Sequence, residues 1–457
     1  MNQQIEAGAT TAQGDEEKVR RFIEKVTGGH VVGMERLIRW RPAWFADVEC
    51  NGDLLWIHVR GDRDSDILPF PELQREADIM QILGEHGVPV PHIYGVCEDP
   101  SAIVMEAIPG TRDVGEAEDD QERHQVARQF VEALVAMHRV PVKPFVEKGI
   151  RLPEGPEEIA LVGLDAYMPL YRRNKKKPEP LLEFAVRWLR DNIPRHRTEA
   201  RFIQFDCGQF LYENGRMTGL YDFEFAMIGD PMTDLATIRM RESYEPHGVA
   251  FREICRLYEE ISGEPIDVPV LLYHNVLFAT VSCMMIAGTV AEPSPGDPHD
   301  VYLEWDIALR RTLIQALSES MGVELETVEP VAGSPGPNAA MLGMLRDTLD
   351  HLEVPDAVQQ ARKDSALNLL ECIERGDRMG AELDRRALAE AAEILGTEPG
   401  TMAAMDSAME AFAQTAGPED HEDLLRFFAR QVERRVQVYG PTGIGRSADN
   451  VALPPIR

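Results

Sequence analysis

The sequence predicts an α+β fold in which a five-stranded, largely antiparallel sheet precedes a mainly helical region and a small all-helical domain. Three observations lead to this prediction: short strand-like runs up to residue 108, helical spacing of apolar residues after it, and a linker over 328–340 rich in Pro, Gly, Ser and Ala. The chain has 457 residues, 44% of them hydrophobic, which is enough for two or three compact units.

The N-terminal unit is predicted over residues 16–108, after a flexible polar tail at 1–15. Asn51-Gly52 tolerates the positive φ angles of a tight turn and therefore predicts a hairpin between two of the strands. The predicted elements are, in order, a helix from Asp15 to about Thr27, strands over 30–39, 43–50 and 53–60, a helix over 71–86, and two strands within 89–99 and 102–108.

The second unit, residues 109–327, is predicted to be mainly helical. Helices are expected over 119–138 and 180–192, with an irregular insertion at 151–180 between them and a strand–turn–strand segment at 202–231. The apolar stretch 268–291 is long enough to span a bilayer, but its polar residues and the lack of a basic flank favour a buried helix. Residues 341–457 are predicted to be a helical domain for interaction or assembly, with a homodimer through these helices as one expectation.

The net charge of −31 argues against nucleic acid or an anionic membrane as the main partner, because phosphate binding needs Lys and Arg. The six cysteines are scattered singly, without the spacing of a zinc site or a disulfide framework. No signal peptide is recognised at the N-terminus. A cytoplasmic location with reduced thiols is therefore expected.

Two acidic residues are predicted to meet at the open end of a hairpin. Asn214-Gly215 is a strong turn signal, and if these are the turn residues, the register sets Asp222 opposite Cys207 and beside Asp206. Such a pair could hold a divalent cation, divide metal binding from positioning of a hydroxyl in phosphoryl transfer, or serve a glycosidase. In a purely structural role, Asp206 would cap a turn and Asp222 would end a strand.

Several stretches together resemble the aminoglycoside-phosphotransferase-like family, small-molecule kinases with a two-lobed protein-kinase-like fold. They resemble most closely the branch whose kinase domains are associated with acyl-CoA dehydrogenases. The resemblance covers about residues 20–320 and rests on READIM (75–80), GVPVPHIYGVCEDP (87–100), IVMEAIPG (103–110), ALVAMHRVP (133–141), PLLEFAVRWLRDNIP (180–194) and LYDFEFAMIGDPMTDLA (220–236).

The resemblance implies roles for individual residues. Asp206 corresponds to the catalytic Asp, and Asp222 to the metal-binding Asp that follows the hairpin. Arg60 takes the place of the cation that contacts the α- and β-phosphates, which it can do as a permanently charged fork. The remaining implied positions are Glu76, which orients that cation, and the adenine-binding hinge of Glu106, Ala107 and Ile108.

The sequence departs from the family pattern at three places, the first being Gln204 where the family has the His that braces the catalytic loop. The catalytic loop DCGQFLY is two residues short, so that Gln209 stands in place of the Asn that serves as second metal ligand. Either Gln209 takes over this role, or metal binding is weakened. The segment 36–44, which would cover the phosphates, has no glycine, and Arg39 and Arg41 are expected to substitute with side-chain donors.

We therefore expect an ATP- and Mg²⁺-dependent phosphotransferase that acts on a hydroxyl group of a small molecule. A hydroxyacyl-CoA kinase, an antibiotic phosphotransferase and a catalytically degenerate, pseudokinase-like scaffold are the alternatives. The basic run at 172–177 is either a solvated loop or a site that captures an anionic group such as the phosphates of coenzyme A.

Overall fold

The computed structural model describes residues 2–37, 41–62, 68–117, 119–440 and 452–457. Five strands form one antiparallel sheet in the order β1-β2-β3-β5-β4, as predicted. This N-lobe comprises α1 (Asn2–Thr27), β1 (His30–Arg36), β2 (Ala43–Cys50), β3 (Asp53–Gly61), α2 (Leu73–Glu85), β4 (Ile93–Glu98) and β5 (Ser101–Glu106).

The predicted hairpin between β2 and β3 is confirmed, and Cys50 pairs with Asp53 next to its turn. Asn51 and Gly52 both have positive φ angles (54° and 95°), as a two-residue turn with the right twist requires. Helix α1 begins at Asn2, ahead of the expected Asp15, because the preceding segment contains Gln, Glu and Ala, which favour helices.

The C-lobe is mainly helical, and its described residues also form two short two-stranded sheets. Its elements are α3 (Asp120–His138), α4 (Val142–Glu147), α5 (Gly155–Asn174), α6 (Pro180–Asp191), β6 (Arg201–Ile203), β7 (Phe210–Glu213), β8 (Arg216–Leu220), β9 (Met227–Gly229), α7 (Met232–Arg241), α8 (Phe251–Ser262), α9 (Val268–Ala291) and α10 (His299–Met321).

The expectation of an irregular insertion at 151–180 is wrong, because helix α5 occupies twenty of these residues. Ala160, Leu164, Tyr167 and Tyr171 recur at helical spacing and are buried. Two prolines within the helical stretch and the basic run at its end obscured this stripe in the sequence.

Helix α9 is the one helix among the described residues that is long and apolar enough to cross a membrane. In this structure 78% of its most apolar window is buried inside the protein. The helix packs against α5, α7 and α10. Its apolar character thus serves the interior of the C-lobe, as predicted.

Four further helices follow the linker: α11 (Ala339–Asp350), α12 (Ala357–Leu395), α13 (Met402–Thr415) and α14 (His421–Tyr439). Helix α13 packs against α6, and α14 packs against α10. Met409 and Phe428 belong to the same hydrophobic cluster as Leu182 and Leu317 of the C-lobe. The C-terminal helices and the C-lobe therefore share one core.

Candidate active site

Asp206 precedes and Asp222 follows the hairpin of β7 and β8, so this hairpin determines how the two predicted acidic residues meet. Glu213 pairs with Arg216 and Tyr212 with Met217, as predicted from the Asn214-Gly215 turn. A register shift then pairs Leu211 with Gly219, so the predicted register is wrong beyond Tyr212. A local bulge of this kind adds one residue to one strand and is not visible in hydrophobic patterning.

Gln209 lies between the two predicted carboxylates. Both ends of its terminal amide form hydrogen bonds when the nitrogen donates to Asp222 Oδ2 (3.2 Å) and the oxygen accepts from Nη2 of Arg241 (3.2 Å). In the other orientation the nitrogen lies 3.4 Å from Asp206 Oδ2. The structure therefore brings Asp206, Gln209 and Asp222 together, with the amide bridging the acids.

The backbone around these acids is held in an uncommon conformation. Phe205 and Asp222 have φ angles of 69° and 67°, in the left-handed region that few non-glycine residues occupy. The side chain of Gln204 donates to the carbonyl oxygens of Tyr221 (2.7 Å) and Asp222 (3.2 Å). This amide ties the loop before Asp206 to the segment that carries Asp222, and such strain is typical of functional sites.

Arg60, at the end of β3, connects the N-lobe to these carboxylates. Its guanidinium is hydrogen-bonded to Glu76 of α2, and its Nη2 donates to Asp222 Oδ1 (2.6 Å) and Glu224 Oε2 (2.9 Å). Glu76 Oε1 also accepts from the backbone N–H of Phe223 (3.1 Å). The sequence analysis placed Arg60, Glu76 and Asp222 in one site, and the structure brings the three together.

The charges of this cluster depend on one another. Burial opposes ionisation of Arg60, but the carboxylates of Glu76, Asp222 and Glu224 more than offset it and raise the pKa of Arg60. Burial raises the pKa of Glu76, and the adjacent Arg60 opposes that rise. Arg60 thus stays charged, and it also stabilises the charged form of its helix partner.

Arg41 and Glu224 complete the cluster on the side of the β1–β2 connection. Arg41 is buried, and its Nη2 donates to Glu224 Oε2 (2.9 Å), the same oxygen that Arg60 contacts. Arg39 lies outside the described residues. Glu224 was missed by the sequence analysis, although its position two residues after Asp222 is a signal that a paired-acid search would find.

The predicted hinge follows β5. The backbone N–H of Glu106 donates to the carbonyl of His92 (2.8 Å), and that of Ala107 to the carbonyl of Trp56 (2.9 Å). Both are therefore used within the N-lobe. The N–H of Ile108, the third hinge residue, makes no hydrogen bond to another described residue.

Asp206 is paired with a cation that the sequence analysis did not identify. Arg241, the last residue of α7, donates from Nε to Asp206 Oδ1 (3.0 Å) and from Nη2 to both carboxylate oxygens (2.7 Å each). Burial raises the pKa of Asp206, and Arg241 opposes that rise. The side chain of Asp206 is 18% exposed, so the carboxylate is held in place but still reaches the solvent.

The basic run at 172–177 is engaged by the protein's own acids. Arg172 and Lys175 both contact the buried Glu183, and Lys175 also contacts Glu410 of α13 (2.5 Å). Lys176 lies 3.3 Å from Glu292. The run is thus neither a simple solvated loop nor a set of cations left for an anionic group: its first residues end helix α5, and these ion pairs join α5 to the C-terminal helices.

The donor set at the hairpin mouth has the oxygen chemistry that a hard cation prefers. Within the described ranges, no three His, Cys, Asp or Glu residues are placed to hold a metal ion by themselves. Mg²⁺ at nucleotide sites is usually held by one or two carboxylates together with substrate phosphates. When the amide of Gln209 is reversed, its oxygen takes the position 3.2 Å from Asp222 Oδ2, and this oxygen pair suits a cation. Asp222 and Gln209 therefore fit a magnesium ion that arrives with a nucleotide.

Comparison with known proteins identifies relatives of this site and fold. Residues 59–262 match the family described as the phosphotransferase enzyme family. The mouse protein Acyl-CoA dehydrogenase family member 10 is 23% identical over 243 residues, which are 48% of this chain and 22% of that protein. The chain therefore matches about a fifth of the length of this curated relative.

A solved structure shares the fold. A protein from Ralstonia eutropha JMP134, provisionally named an aminoglycoside phosphotransferase, superposes with a TM-score of 0.53 at 16% identity. The superposition covers 68% of this chain and 99% of that protein. The resemblance drawn from the motifs is thus confirmed: residues 59–262 match the phosphotransferase enzyme family, and the two-lobed fold is shared with this solved structure.

Proposed function

We propose that this protein transfers the γ-phosphoryl group of ATP to a hydroxyl group of a small molecule, with Mg²⁺ as cofactor. The observation that carries the proposal is the connected cluster of Arg60, Glu76, Asp222, Gln209 and Asp206 at the junction of the two lobes. It combines a phosphate-binding cation, a pair of oxygen ligands for a metal and a carboxylate within one site.

Each residue has a chemical task in this reaction. Arg60 binds the α- and β-phosphates as a bidentate fork, and Glu76 keeps its guanidinium oriented. Asp206 accepts a hydrogen bond from the acceptor hydroxyl, aligns the oxygen for attack on the γ-phosphorus and takes the proton late in transfer. The backbone of the Glu106–Ile108 hinge binds the adenine ring.

Asp222 and Gln209 are the residues that would hold Mg²⁺, with Glu224 as a neighbouring carboxylate. When bound, the ion neutralises charge on the β- and γ-phosphates. In the structure, Arg60 forms an ion pair with Asp222 and Arg41 with Glu224. A triphosphate competes for the two arginines, so its binding frees the carboxylates of Asp222 and Glu224 from their ion pairs.

The first experiment measures nucleotide binding by thermal shift with ATP and Mg²⁺, ATP alone and Mg²⁺ alone. We expect the largest rise in melting temperature with ATP and Mg²⁺ together, because binding to the folded state alone stabilises it. No response to either nucleotide condition would favour the pseudokinase-like scaffold. A response to ATP that Mg²⁺ does not enhance would remove Asp222 and Gln209 as metal ligands.

The acceptor is then sought by ADP release across alcohols, hydroxyacyl-CoAs, aminoglycosides and macrolides. A hydroxyacyl-CoA has the support of one relative, which is named as an acyl-CoA dehydrogenase family member. An antibiotic has the support of a fold relative, provisionally named an aminoglycoside phosphotransferase. Acceptor-dependent ADP release, absent in D206N, identifies the substrate class.

We also propose that the C-terminal helices mediate assembly. Helix α11 has no buried residue, and Met341, Met344 and Leu345 are exposed on it. Light scattering of the full chain tests this directly. A dimer that dissociates in the M341E/M344E variant supports the proposal, and a monomer in the wild type refutes it.

A further inference from the structure

One face of α7 holds the loop that carries Asp206. Asp234, Thr237 and Arg241 are three and four residues apart, so their side chains lie on the same side of the helix. Asp234 accepts from the backbone N–H groups of Gln204 (3.0 Å) and Phe205 (2.8 Å). Thr237 Oγ1 accepts from that of Cys207 (3.2 Å). The backbone on both sides of Asp206 is therefore fixed by this helix.

Arg241 is the third contact on this face, and it acts on the side chain of Asp206 rather than on the backbone. Its fork makes three hydrogen bonds to the carboxylate, two to Oδ1 and one to Oδ2. Glu245 holds the remaining Nη1 from the next turn, and Arg112 in turn contacts Glu245 (2.9 Å). Arg241 is only 8% exposed, so it has little freedom to leave this position.

Arg241 limits the positions at which the carboxylate of Asp206 can accept a further hydrogen bond. A carboxylate offers about four acceptor positions, and Arg241 occupies three of them. Oδ2 accepts one bond from Arg241 and retains a further acceptor position, which the amide nitrogen of Gln209 approaches only to 3.4 Å. We propose that Arg241 is a positioning residue that fixes the rotamer of Asp206 and so presents Oδ2 to the acceptor hydroxyl; this inference rests on the proposed function.

The short loop that carries Asp206 is packed closely against Arg241 of α7 at Gly208. Gly208 has a φ of 112°, and a Cβ there would lie 2.7 Å from Nε2 of His247 and 3.1 Å from Cδ of Arg241. The loop is thus packed directly against Arg241. In the amide orientation in which Gln209 donates to Asp222, the same guanidinium also donates to the amide oxygen of Gln209 (3.2 Å), so Arg241 contacts two residues of the loop.

The test compares R241M and R241K with R239M in steady-state kinetics on the identified acceptor. Arg239 lies on the same helix and is equally buried, but it contacts Asn275, Glu319 and the carbonyl of Pro454 instead of the loop. A misplaced reacting group costs about 10²-fold, so we expect R241M to lower kcat by about that factor. The KM for ATP should change by less than about threefold, because ground-state nucleotide binding does not use Arg241.

R241K should recover part of the lost kcat, because it keeps the charge but not the fork. R239M should lower the melting temperature without a comparable loss of kcat in the folded enzyme. In a D206N background, R241M should cause no further loss, since residues that act as a unit are not additive. The inference is overturned if R241M keeps kcat within about threefold of wild type, or if R239M loses as much as R241M.

A second measurement does not require activity. Urea unfolding of D206N, R241M and the double variant should give non-additive changes in the free energy of unfolding, as expected for side chains in direct contact. Additive changes would overturn the inference. If the pair is coupled but the wild type transfers phosphate to no acceptor, the proposed function fails and the pairing stands.

Discussion

The two halves of the candidate site are built in different ways. The proposed nucleotide half contains Arg60, Glu76, Asp222 and Glu224, and the ion pairs of Arg60 with Asp222 and Glu224 cross from one lobe to the other. The acceptor half, formed by Asp206 and Arg241, lies within the C-lobe and is fixed by a single helix. Ion pairs between lobes compete with a charged ligand, whereas contacts within one lobe do not depend on it.

This difference teaches how the site can be both adaptable and precise. Phosphates and a metal ion can replace the interlobe contacts of Arg60, because they present the same charges to each partner. The carboxylate of Asp206 must already be oriented when the acceptor arrives, since positioning supplies much of the rate in phosphoryl transfer. Variants in the two halves should therefore affect different kinetic quantities.

The largest effect is expected for D206N, which breaks the acceptor half at its centre. Removal of the carboxylate should lower kcat by about 10²–10⁴-fold, because the acceptor hydroxyl loses its proton acceptor. ATP affinity, measured by calorimetry, should stay near the wild-type value. D306N is the control, since Asp306 of α10 is likewise an Asp paired with arginine but lies outside the candidate site. Loss of ATP binding in D206N would show that the two halves are not separate.

D222N breaks the nucleotide half at the metal ligand. We expect Mg²⁺ no longer to enhance ATP binding, so that the affinity for ATP in the presence of Mg²⁺ falls by more than about tenfold. Even the loss of a residue that only supports a metal ligand lowers metal affinity by about 10–100-fold. The measurement is calorimetric titration of ATP with and without Mg²⁺. Affinity for ATP without the metal should fall much less, and equal losses under both conditions would contradict the assignment.

R60M tests the cation that links the lobes. Hydrogen bonds to charged groups contribute about 1.5–3 kcal/mol, so the KM for ATP should rise by about 10–100-fold. R75M is a suitable control, because Arg75 is in the same lobe but stacks on Phe70 and donates to the carbonyl of Ala226. A KM for ATP in R60M equal to that of R75M would exclude Arg60 from the phosphate site.

The smallest effect on the candidate site is expected for H274Q. This variant tests how the stability of the fold depends on pH, apart from the chemistry of the site. Burial lowers the pKa of His274 to about 4, in a setting that includes Asp230, Arg197 and Asp234. An unfolded histidine binds its proton below about pH 6.5, so stability should fall as the pH drops from about 6.5 to 4, by up to about 3 kcal/mol. In H274Q, urea unfolding across this range should show a weaker pH dependence. An unchanged dependence would show that other groups control acid stability.

Much of the fold followed from local patterns. Asn51-Gly52 and Asn214-Gly215 fixed two hairpins, and strand-like runs before residue 108 gave the five-stranded sheet. Helix α5 was missed because its prolines and basic end interrupt a stripe that only packing against α9 makes decisive. The sequence also did not predict that the C-lobe and the C-terminal helices share one hydrophobic core. Sequence patterning shows which face of a helix is apolar but not which element covers that face.

For the candidate site, the sequence by itself determined the residue types: a pair of acids at a hairpin mouth, a cation at the end of β3 and an acid on α2. The meeting of the two acids was predicted from the hairpin turn, and their association with Arg60 and Glu76 was implied by the family resemblance. The tertiary structure alone decided that a bulge shifts the register beyond Tyr212, that Glu224 shares Arg60, and that Arg241 holds Asp206. These depend on contacts between segments distant in the chain or on side-chain directions, which no local pattern encodes.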